Sequence, residues 1–174
     1  MNAIQLLRSQ LKSAHETMEA TMADATDEVA HFTDIGKALP VGAAYAHAVL
    51  AEDMIVSGML AHQEPLAKDT TEVGVSAMMP TMDKWAEHEQ WTKTVKVDLP
   101  KFKTFAEKVY AASDEYLAGL SDGDLENEID LTSMGMDKKT VEDIITNFLI
   151  LHMANLAGEV SAAKGFQGQK GYPW

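Results

Sequence analysis

This 174-residue chain carries six histidines and no cysteine, so imidazoles are the side chains from which a metal or proton-transfer site could be built. The missing thiols exclude disulfides, thiolate metal sites and a cysteine nucleophile. Two histidines fall within helical apolar patterns. His152 lies in a stripe formed by Val141, Ile144, Ile145, Phe148, Leu149, Leu156 and Val160, the i, i+3, i+4, i+7 spacing of a helix that buries one face. His47 lies in VGAAYAHAVLAED, near the stripe of another helix. An inward histidine is either a core residue hydrogen-bonded to a neighbour or a metal ligand. A helix offers two ligands best from positions i and i+4. Four residues after His152 stands Leu156, which cannot ligate, and three after it stands Asn155. Glu159 is about 10 Å further along the axis, too far to share a small coordination shell with His152. Glu52 and Asp53 follow His47 by about one turn. Either could ligate or orient an imidazole, although a charged pair at a helix edge is more often solvated.

The elements that must carry these residues read as helices. Asn2 and Gln5 mark the start of helix 1, over about residues 3–23, with His15 flanking its stripe and His31 in the following connection, both expected at an edge or facing solvent. A loop with one helical turn at Thr26–Phe32 leads past Gly36 and Pro40 to helix 2, about residues 41–62, whose run of small residues permits close helix approach. Residues 63–98 form a long connection with a short helix expected at Thr81–Gln90, carrying Trp85 and His88. Helix 3 begins at Leu99–Pro100 behind the cap Asp98 and ends near Ser121. Acidic residues follow to Asp130, but without the glycine and terminal glutamate of a calcium loop. Residues 125–139 read as extended or irregular. The last helix runs from the cap Thr140 to Lys164. Its single glycine, Gly158, costs about 1 kcal/mol against alanine, so an apolar neighbour is expected to approach closely there. In the tail GFQGQKGYPW, Phe166, Tyr172 and Trp174 are expected to pack back on the helices. The pattern is all-α and one domain over residues 1–174; a connection as long as 63–98 fits the crossover from helix 2 to helix 3 in a four-helix bundle.

Composition narrows the partners. A net charge of −13 argues against nucleic acid and anionic membranes, both of which need basic surface. No signal-peptide pattern opens the chain. Glu52 and Asp53 break the best candidate for a membrane span, so a cytoplasmic protein is expected. Eleven methionines fit an adaptable core, the preferred reading, or an apolar pocket that accommodates varied ligands.

The element order and three stretches resemble the DinB/YfiT-like superfamily: His47 in AHAVLAED, the acidic LAGLSDGDLENEIDL, and above all HMANLAGEVSAAKGFQGQKGYPW. The resemblance implies an up-down-down-up four-helix bundle, often a homodimer. It further implies a divalent metal, commonly zinc or nickel, held by one histidine of helix 2 and two of an HxxxHxGE-like motif on helix 4. Some members are transferases or isomerases that work with a low-molecular-weight thiol. On this chain His47 matches the helix 2 ligand, His152 the first motif histidine, and Gly158 and Glu159 its GE, while Leu156 stands at the second histidine. A third donor would have to come from Asn155, Glu52, Asp53, His62 or His88. Two functions are therefore expected. One is a small-molecule-binding or vestigial member with a degenerate two-histidine site. The other is a divalent-metal-dependent transferase or hydrolase acting with a thiol. No serine elbow, phosphate-binding loop or carboxylate pair competes, and no catalytic residue is assigned.

Overall fold

The computed structural model describes residues 2–174, without the side chains of Met82, Asp83, Trp85 and Ser133. The fold is mostly helical. Helix α1 (Ala3–Met22) starts at a reciprocal capping box between Asn2 and Gln5, and buries Ile4, Leu7, Leu11, Ala14, Met18 and Met22. A short α2 (Asp27–Ala30) follows. Helix α3 (Val41–Asp53) runs on without a break into a π-helical stretch, Met54–Leu60. Within the long connection lie α4 (Thr70–Val73), a 3₁₀ stretch (Met82–Glu87) and α5 (His88–Thr94). The helix expected at Thr81–Gln90 is thus two pieces meeting at His88; the Trp85 side chain lies outside the described residues.

Helix α6 (Leu99–Ala118) is capped by the Asp98 carboxylate, with Pro100 in its first turn. The irregular stretch after it contains a two-stranded ribbon, β1 (Glu128–Ile129) against β2 (Lys139–Thr140), antiparallel. Helix α7 (Val141–Phe166) completes the chain, with the Thr140 hydroxyl accepting the Asp143 N–H and π-helical winding over Ile144–Leu151. By length and composition α7 could cross a membrane, contrary to the expectation that no apolar run reaches that length. Here it packs on both α1 and α3. Each of α1 and α3 also packs on α6.

Small residues set the spacing of these helices. Ala43, Ala44, Ala46, Ala48 and Ala51 of α3 are buried beside Ala157 and Val160 of α7 and Phe102, Phe105 and Ala106 of α6. A second apolar cluster joins Ile4, Leu7 and Leu11 to Leu117, Ile144, Ile145 and Leu149. The tail departs from expectation. Phe166, Trp174 and Tyr172 are all exposed, at 78%, 77% and 37%. The tail is held by its backbone and Tyr172 instead: a Cβ on Gly171 would fall 2.5 Å from Ser161 Oγ, and one on Gly158 would fall 3.1 Å from the Tyr172 hydroxyl. The close neighbour expected at Gly158 is therefore polar.

Lys164, read from sequence as a helix-ending cation, is 1% exposed. Its ammonium donates to the Thr21 carbonyl at 2.6 Å and to the Asp24 carboxylate. A buried cation costs far more when stranded than when replaced by an apolar isostere. Asp24→Asn should therefore lower the unfolding free energy by about 1–2 kcal/mol, and Lys164→Met by less. Urea titration of both variants checks the order; a Lys164→Met loss exceeding that of Asp24→Asn contradicts it.

Candidate functional site

His47 and His152 converge from α3 and α7, with Nε2 to Nε2 at 3.1 Å. His152 is the first residue after the π-helical stretch of α7. The wider turn carries the buried sequence Ile144, Ile145, Leu149, Met153 into the core. Phe148 and His152 are left half-buried on an adjoining face, where both line a cavity. Unusual winding of this kind tends to accompany functional positions.

A third imidazole joins from the connection. His88, at the start of α5, places Nε2 3.0 Å from His47 Nδ1. Met79 Sδ lies 3.3 Å from the same nitrogen. The result is a row of rings, His152–His47–His88, with His47 meeting a different neighbour on each nitrogen. The rings cross edge to face, with centroids 5.0 Å and 4.8 Å from His47.

Burial sets their protonation. Desolvation, and then the proximity of His152 and His88, lowers the His47 pKa to about 3. Burial also lowers those of His88 and His152, the latter offset in part by the negative charge of Glu52. All three imidazoles are thus neutral near pH 7, and each carries one ring proton. Between neutral rings, His47 must donate on one side and accept on the other.

The row borders a cavity of about 290 Å³ lined by His47, His152, Ala51, Ile55, Leu131, Phe148 and the methionines Met54, Met59, Met79, Met134 and Met136. Core filling does account for Met18, Met22 and Met153. Five others wall this pocket, so the methionine excess serves it as well as the core. A larger groove of about 690 Å³ between α1 and α6 is rimmed by charges such as Arg8 and Asp114, which pair at 2.8 Å. It lacks the convergent imidazoles.

The other expected site residues are placed elsewhere. Glu52 and Asp53 are 2% and 1% exposed, not solvated. Glu52 does orient an imidazole, but that of His15: its carboxylate meets His15 Nε2 at 2.8 Å and accepts from Ser113 Oγ at 2.5 Å. His15 itself is buried and stacks on Tyr110 with centroids 3.8 Å apart, contrary to the edge position expected of it. His31 is half-buried, and its Nε2 accepts the Val97 N–H at 2.9 Å. Asp53 accepts from Ser57 Oγ and from the backbone N–H groups of Leu66 and Ala67. It pins the start of the connection to α3. Asn155 and Glu159 are exposed and do not line the cavity. Leu156 is core, and His62 is exposed with φ of 53°. Of the substitute donors, only His88 reaches the row. From sequence His88 was one of five conceivable donors and Met79 was not singled out, because neither lies in a long periodic segment.

A divalent ion on three imidazoles does not fit these residues. The 3.1 Å separation of His47 Nε2 and His152 Nε2 is close to the edge of about 3.3 Å that two imidazoles make on tetrahedral zinc. Leu156 fills the third motif position, and His88 approaches the opposite nitrogen of His47. Among the described residues, no three histidine, aspartate or glutamate side chains converge on one point.

No family model and no curated protein sequence matches this chain. Among solved structures, a conserved protein from Enterococcus faecalis superposes with a TM-score of 0.82 at 20% identity, covering 97% of this chain and 99% of that one. At that identity the likeness shows a shared fold alone.

The depressed His47 pKa has a sign. An unfolded chain takes up this proton near pH 6.5, whereas the folded chain resists until about 3. The unfolded state therefore binds more protons in between. Stability is fully present above pH 6.5 and is lost as pH falls toward 3. One such imidazole removes about 1.4 kcal/mol per pH unit, or about 2 kcal/mol between pH 6.5 and 5. Urea midpoints across that range should fall, and fall less in His47→Asn. Parallel profiles for the two proteins would remove His47 as the cause.

Proposed function

We propose that this protein is a DinB/YfiT-like four-helix bundle that binds a small apolar molecule carrying one polar group. The contacts of α1 and α3 with both α6 and α7 support the up-down-down-up arrangement with its long crossover. The observation that carries the functional reading is the pairing of His47 and His152 on the wall of the methionine-lined cavity. Binding pockets are mostly apolar with a few placed polar groups, and methionine walls adapt to varied shapes. The imidazole row offers the ligand one hydrogen-bonding edge, so an alcohol, phenol or protonated acid is the class favoured. At about 290 Å³ the cavity holds a molecule of modest size.

The alternative, a zinc- or nickel-dependent transferase or hydrolase acting with a low-molecular-weight thiol, draws on the 3.1 Å imidazole edge. It requires a third donor that Leu156 does not supply. A homodimer and a cytoplasmic setting accompany the family reading.

The probe is N-phenyl-1-naphthylamine, a neutral apolar fluorophore, competed with 1-octanol and with octane. One equivalent of probe should bind. Octanol should displace it at lower concentration than octane, and His152→Phe should erase that difference. Ala51→Phe, which fills the cavity, should weaken probe binding at least tenfold, about 1.4 kcal/mol. Equal binding by wild type and Ala51→Phe would show that the probe sits elsewhere and sink the reading.

A further inference from the structure

The donors around His47 are divided between its two nitrogens. Among the described residues, His152 Nε2 lies 3.1 Å from Nε2. His88 Nε2 at 3.0 Å and Met79 Sδ at 3.3 Å lie against Nδ1. We propose that His47 Nδ1, His88 Nε2 and Met79 Sδ form a binding site for copper(I), with His152 holding His47 in place from outside the coordination shell. The proposal goes beyond ligand binding in the cavity, since it uses the opposite nitrogen of His47 and a histidine that does not line the cavity.

The donor set selects the ion. A thioether is a soft ligand and suits copper(I), whereas zinc is held by imidazole, thiolate and carboxylate. No thiolate exists in this chain. The two buried carboxylates nearest in sequence to His47 are committed elsewhere, Glu52 to His15 and Ser113, and Asp53 to Ser57 and the backbone of Leu66 and Ala67. Two neutral imidazoles and a thioether leave a bound monovalent ion its single positive charge, in a protein of net charge −13. Four further thioethers, Met54, Met59, Met134 and Met136, wall the cavity that His47 and Met79 share.

The two donor separations measured from His47 are near those that a shared ion sets. Metal–nitrogen and metal–sulfur bonds of about 2.0 and 2.3 Å place adjacent donors about 3.3–3.7 Å apart. The observed 3.0 and 3.3 Å separations are a few tenths shorter. Met79 has three side-chain torsions to take up the difference. His88 sits on the seven-residue α5, within the connection.

The hydrogen bond to His152 then acquires a role. Ligation through Nδ1 puts the His47 proton on Nε2, and 3.1 Å away stands His152 Nε2 to accept it. Metal-bound histidines commonly donate their other N–H in this way, which fixes the tautomer and the ring plane. His152 is thereby a positioning residue and not a ligand, the reverse of the role expected from sequence.

The test uses the full chain without a histidine tag, under anaerobic conditions, titrated with copper(I) against a competing copper(I) chelator. Silver(I) serves as a redox-stable second probe. One equivalent should bind. Long-range ¹H–¹⁵N spectra should show His47 ligated at Nδ1 and His88 at Nε2, and the Met79 methyl signal should move. Met79→Leu and His88→Gln should each weaken binding roughly tenfold or more, while His152→Gln, which can still accept from His47, should weaken it less. N-phenyl-1-naphthylamine binding by His88→Gln, a residue that does not line the cavity, should stay as in wild type, which separates failure of the copper site from failure of the cavity reading. The proposal is overturned by ligation at His47 Nε2 together with His152, by Met79→Leu binding copper(I) as tightly as wild type, or by the absence of a one-to-one complex.

Discussion

A neutral imidazole carries a single proton, and at His47 that proton has to serve two directions. His152 lies against one ring nitrogen, and His88 and Met79 lie against the other. Whichever nitrogen donates, the other must accept. The tautomer of His47 thus settles the polarity of the whole row and decides which face of the ring presents a lone pair. Protonating the ring would remove its only acceptor and place a charge in a cleft walled by methionine. Burial opposes that, which is why the pKa falls to about 3.

The row depends on fastenings that take no part in it. His47 is carried by α3, a helix whose small residues let α6 and α7 come close. His88 and Met79 are carried by the connection, which has no continuous helix to hold it. Asp53 supplies the first anchor, through the Leu66 and Ala67 N–H groups. The Trp91 indole N–H donates to the Ala77 carbonyl at 3.0 Å, and Val75 bridges to Val97. These bonds bracket Met79 and His88 on both sides in sequence. Asp53 was a candidate ligand by its place one turn after His47. Its backbone bonds show a different service to the same site: it tethers the segment that brings the other donors.

What the sequence made legible follows from periodicity. The capped helices, and the convergence of His47 with His152, could be read because a 3.6-residue stripe states which way a side chain faces. The same argument fails over residues 63–98, where no period exists, so His88 and Met79 could only be named or passed over. It fails differently at Glu52, Asp53 and Lys164, because charge predicts exposure only until a partner is found. Those partners, His15 and Ser113, two loop amides, and Asp24, are distant in sequence or not side chains at all. The π-helical stretches were equally hidden, since the stripe through Ile144, Ile145, Phe148 and Leu149 reads as ordinary α-helical spacing. In the tail, the reasoning that apolar side chains pack back failed for Phe166 and Trp174. Close contacts at Gly171 and Gly158 hold the segment without them.

Leu156 is where these observations meet. A histidine there would stand one helical turn from His152, and two imidazoles from one helix would define a rigid pair on the Nε2 side of His47. Leucine instead joins the apolar core with Met153 and Ala157, so α7 brings the single imidazole of His152 to that side. The remaining donors come from the opposite side, on the connection. Sites borne by connections are held less rigidly than sites borne by long helices. An octahedral or tetrahedral preference suffers from that looseness, whereas a soft ion bound by an adaptable thioether tolerates it. Exchanging one helix-borne imidazole for a methionine and a histidine on the connection therefore changes more than the number of donors. It changes the nitrogen of His47 that is used and the hardness of the ion that the remaining groups can hold.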